Sequence, residues 1–187
     1  MPTRTCQRSR LANAVEEDAA HVSARTVDGW LRELGLTASE SAEREGVHSW
    51  DLVLDGRVRH GVPITLIFDQ SVGLVCWVHY APPLADGLRK VYRQLLRWND
   101  ELPFVKFALA DDDRPVLSDE VPLAGLDRDA IGLTIARLLA VCDLLYPESA
   151  GWVDRIAKVE PGGESAGTDL LQRYAARLAE LGTGAAP

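Results

Sequence analysis

Five carboxylates crowd one short stretch of the chain: Asp111, Asp112 and Asp113 in a row, then Asp119 and Glu120. Oxygen ligands so close together could hold a hard cation, and two carboxyl groups in unlike surroundings could share general acid and base work. The spacing argues against a metal loop, because a calcium loop alternates its ligands over about twelve residues and closes on a glutamate. The triplet reads instead as a solvated hairpin tip. A catalytic set of Asp119, Glu120 and His79 would need those three to converge, and no spaced motif announces it. His21, His48, His60 and His79 share no ligand spacing. Cys76 and Cys142 lie in apolar runs, where a thiol behaves as a small buried hydrophobe, while Cys6 lies near the N-terminus. No glycine-rich phosphate loop, nucleophile elbow or H-E-x-x-H pattern occurs. The expectation is a protein that is not an enzyme, with no catalytic residue, metal or cofactor.

Charge narrows the partners. A formal charge of -8 repels phosphate backbones and anionic lipid, so neither nucleic acid nor a membrane is expected as a partner. The three widely spaced cysteines give neither a disulfide framework nor a zinc site, which fits a reducing cytoplasm. Arg4, Arg8 and Arg10 are not followed by an apolar stretch of signal-peptide length, and no window is expected to span a membrane.

The elements that would position any site follow from periodicity. Residues 1–24 lack it and read as a flexible tail, with some helix near Asn13 to Ala20. Val27, Trp30, Leu31 and Leu34 predict a short helix from Val27 to Leu36. Strands are predicted through Trp50, Leu52 and Leu54, from Pro63 to Asp69, and from Gly73 to Tyr80. The last two are apolar at consecutive positions, which predicts cover on both faces. Asp86 is the expected N-cap of a helix whose stripe is Leu88, Val91, Tyr92, Leu95 and Leu96. Trp98 lies off that stripe, and Asn99 is expected to cap the helix end before Pro103. Val105, Phe107 and Leu109 form a fourth strand, and Arg114 to Leu123 a fifth.

The segment from Arg128 to Tyr146, between Asp127 as N-cap and Pro147 as stop, is apolar nearly all round. One sheet covers only one side of it, so a partner surface is expected, from another copy or from the C-terminal segments. Ile131, Ile135, Leu138, Cys142 and Leu145 are the candidate dimer interface. A short helix over 149–160, a linker beginning PGGESAG, and an amphipathic helix DLLQRYAARLAEL complete the chain, within a C-terminal unit spanning 161–187.

The fold class is therefore α+β: an antiparallel five-stranded sheet in the order α-β-β-β-α-β-β-α over 25–148, plus C-terminal helices. The stretches RWND, PFVKFAL, DDDRPVLSDEVPL and IGLTIARLLAVCDLLY, in that order, resemble the YbjN-like branch of the type III secretion chaperone-like superfamily. That resemblance implies a small dimeric protein without catalytic residues that binds an extended client segment. Trp50, Trp77, Trp98 and Phe104 are the candidate contacts to such a client protein or peptide. The dimer would join two copies of the chain or a copy and a related chain. The other reading is an accessory or regulatory subunit of a larger, even enzymatic, complex, anchored by the C-terminal helix.

Overall fold

The computed structural model describes residues 22–83, 88–153 and 165–182. The expected helix near Asn13, the N-cap at Asp86 and most of the 149–160 helix lie outside them. Helix α1 (Ala24–Glu33) begins where the Ser23 hydroxyl accepts from the Thr26 amide at 3.3 Å, and Gly35, with φ of 77°, follows its end. Strands β1 (Glu40–Arg44) and β2 (Val47–Leu54) form a hairpin through Glu45 and Gly46, both at positive φ, the backbone a two-residue turn demands.

Strands β3 (Val62–Asp69) and β4 (Gly73–His79) continue the meander. Helix α2 (Leu88–Glu101), β5 (Lys106–Leu109) and β6 (Pro115–Pro122) follow. The sheet has six strands, all antiparallel, in the order β1-β2-β3-β4-β6-β5. The five-strand expectation omitted β1. Its sequence ESAER is exposed at every position, so a charged edge strand gave no apolar alternation to read.

Helix α3 (Arg128–Val153) starts at Asp127, whose carboxylate accepts from the Ala130 amide at 2.7 Å. It does not stop at Pro147 but runs through it. A proline inside a helix removes one backbone bond and disfavours the turn. Here the Ser149 hydroxyl donates to the Leu145 carbonyl at 2.8 Å and pairs with the Tyr80 hydroxyl at 2.6 Å, fixing the turns beyond it to the core.

Ile131, Ile135, Leu138, Cys142 and Leu145 are buried between α3, the sheet and α1, in a single copy of the chain. They are core, not free surface, which corrects the expected dimer interface. Most of the second side of α3 is covered by the chain's own C-terminus, α4 (Ala166–Arg173) and α5 (Ala175–Leu178), which bend apart at Tyr174 instead of forming one helix. Leu170, Leu171 and Tyr174 are buried there. Gly132 makes the approach possible, since a Cβ at that position would sit 2.5 Å from the Tyr174 hydroxyl. The helix expected as an anchor for a larger complex packs one side on its own domain. By length and composition Arg128–Gly151 could cross a membrane, contrary to the sequence expectation, but most of that window is buried in this fold.

Candidate functional site

Among the described residues, all helical cover lies on one face of the sheet. Trp50, Leu52, Ile64, Leu66, Cys76 and Leu117 point into it and are buried. The alternate positions Val53, Ile67, Val75 and Trp77 point the other way and are exposed or half-buried. Two-sided cover, expected from the unbroken apolar runs, is not supplied by the described residues. Trp77 stands on β4, a middle strand, at 38% exposure, and its register neighbours run across the face as Asp51, Thr65, Trp77, Ser118 and Lys106. The adjacent row carries Ser49, Ile67, Val75 and Glu120. The face is thus an aromatic plate on an apolar floor with charges at its margins.

A polar chain sits beside the plate. The Thr65 hydroxyl donates to Asp51 Oδ1 at 2.6 Å and lies 3.3 Å from His79 Nε2. Burial, with Arg114 nearby, holds the imidazole below its ordinary pKa. The three side chains form one polar row at the rim of the plate.

The other expected contacts fall elsewhere. Trp50 is buried on the inner face, its ring stacked on His48 at 6.2 Å. Trp98 is 2% exposed, in the stripe Val91, Leu95, Trp98, Leu102, and packs on Phe107 at 5.5 Å. Leu96, expected in that stripe, is 68% exposed. Phe104 is 53% exposed at a left-handed φ of 69°, under the Arg137 guanidinium at 4.3 Å. Of the four aromatic candidates, only Trp77 belongs to the open face.

Asp119 and Glu120 occupy successive strand positions and so point to opposite faces. Asp119 is buried with Arg137 Nη1 at 3.6 Å, and burial raises its pKa despite that partner. Glu120 and His79 are on the other side of the sheet, so the trio does not converge. Asp112 pairs with Arg114 at 2.6 Å at the hairpin tip. Among the described residues no group of three or more His, Cys, Asp or Glu could hold a metal ion. His48 and His60 lie by Glu43 and Asp55, at 3.7 and 3.8 Å, and His21 and Cys6 are outside the described residues. Burial pushes the Cys142 thiol up to about 11 and the Cys76 thiol higher still, away from thiolate chemistry.

Both edges of the sheet are closed to an added strand. At β1 the charges Glu40, Glu43 and Arg44 line the edge. At β5 the Asn99 side chain accepts from the Phe107 amide at 2.6 Å and donates to its carbonyl at 3.0 Å, occupying the groups an incoming strand would use. Lys106 instead caps α2, donating to the Asn99 and Leu102 carbonyls at 2.6 and 3.1 Å. The sequence reading gave Asn99 that capping role and missed the clamp, which pairs residues eight apart.

Fold and face together define an α+β protein whose antiparallel sheet has one surface that no described helix covers. The chain belongs to the YbjN family, described as "Putative bacterial sensory transduction regulator", whose profile matches residues 23–150. That description is regulatory at its coarsest. No curated protein matches the chain.

Proposed function

We propose that the chain is a non-catalytic binding module that holds a segment of a client protein across the open face of its sheet, and acts in regulation through that capture. The observation that carries this reading is Trp77, a large aromatic left part-exposed on a middle strand among Ile67, Val75 and Val53. Burying such a plate against a client removes apolar area from water at about 25 cal/mol per Å2. Because β1 is charged and β5 is clamped by Asn99, the client lies over the face and does not extend the sheet. Asp51 and Glu120 favour basic residues at the client's margins. The resemblance to secretion chaperones, which hold extended client segments, supports the same reading. Pairing with a second copy, also implied by that resemblance, would have to use surface other than the buried stripe of α3.

The test is capture from the native cytoplasm with the wild-type chain and with Trp77→Asp. One stoichiometric companion retained by the wild type and lost by the variant, at an unchanged unfolding midpoint, is expected. Equal retention by both chains would remove the open face from the function.

A further inference from the structure

Helix α2 carries Arg89, Lys90, Arg93 and Arg97 on one side, within about 100° of arc at 3.6 residues per turn. With Gln94 they line an open hollow of about 490 Å3. None of the four cations has a hydrogen-bond or ion-pair partner among the described residues. Arg89, Arg93 and Arg97 are four residues apart, the spacing at which like charges repel on a helix. Asp100 falls on the same arc and Glu148 accepts from Gln94 at 3.3 Å beside it, yet among the described residues neither forms an ion pair with these cations.

We propose that this face of α2 docks an extended, acidic segment of a partner protein. Four residues of helix advance about 6 Å, and alternate side chains of an extended peptide stand about 6.6 Å apart. Carboxylates at every second position therefore meet Arg89, Arg93 and Arg97 in turn. Leu96, 68% exposed, flanks the same arc and gives an intervening apolar residue its seat. A nucleic acid suits the surface less well: four cations cover about 12 Å of helix, Asp100 and Glu101 close its C-terminal end, and the net charge repels a long polyanion. This surface is separate from the open sheet face and does not depend on it.

The experiment uses the full chain and fluorescence anisotropy at low salt. The probes are a labelled peptide of alternating glutamate and leucine, a block-ordered peptide of the same composition, a single-stranded oligonucleotide and phosphatidylserine vesicles. The alternating peptide is expected to bind best. Arg93→Gln with Arg97→Gln should weaken it roughly tenfold, since two screened ion pairs are lost. The urea midpoint of that variant should hold or rise, because repulsion on the helix is relieved. Binding no tighter than that of the block peptide, tighter capture of the oligonucleotide or vesicles, or an affinity indifferent to the double substitution would each overturn the proposal.

Discussion

At the scale of single residues, His79 ties the open face to pH. Its folded pKa lies below the ordinary 6.5, first through burial and then through Arg114. A group that protonates less readily in the fold contributes stability above its unfolded pKa and loses it as pH falls through the folded value. The wild type should therefore lose stability on acidification below pH 6.5 more steeply than His79→Gln, read as urea midpoints along a pH series. Parallel curves for the two chains would place the imidazole in an ordinary environment. Asn99 makes a prediction of another kind. Asn99→Ala removes both bonds to Phe107, for a loss of about 1–3 kcal/mol, and frees the β5 edge. Faster exchange of the Phe107 amide and concentration-dependent association are expected. Unchanged protection at that amide would mean that the clamp is not formed in solution.

Among elements, the legible ones are those whose own burial writes a period. Strand β2 announces itself through Trp50, Leu52 and Leu54, and β3 through Ile64, Leu66 and Phe68, because one face is dry. Strand β1 has no dry face and left no trace. The open face was misread because Ile67, Val75 and Trp77 are apolar although no described helix covers them, and apolarity outside the core reads in sequence like apolarity within it. Trp98 was misplaced by taking Leu96 into the stripe, although Val91, Leu95, Trp98 and Leu102 have the better spacing. At Pro147 a local rule lost to a tertiary bond between Tyr80 and Ser149, residues far apart in sequence. The C-terminal helix gives the sharpest test at this scale. Leu171→Ala should cost about 2–5 kcal/mol, because that side chain is buried against the domain. A chain ending before α4 should unfold at a clearly lower urea midpoint, whereas a C-terminus serving only as an external anchor would leave it unchanged.

For the whole molecule, the central question is whether α3 is completed within one chain or between two. The sequence argument rested on excess apolar circumference, and its physics holds: the second side of α3 does need cover. What supplies most of it is α4, with Leu170, Leu171 and Tyr174, from the same polypeptide. A core residue and an interface residue then respond differently to dilution. If Ile135 packs within one copy, Ile135→Ala lowers stability by about 2–5 kcal/mol, and the loss is the same at any protein concentration. If Ile135 sealed a dimer, mass action would make the urea midpoint climb with concentration in the wild type and flatten in the variant. Unfolding curves of both chains over about a hundredfold range of concentration separate the two cases, because a stabilising association contributes roughly RT times the logarithm of that range. Concentration-independent midpoints with a constant offset between the two chains are expected.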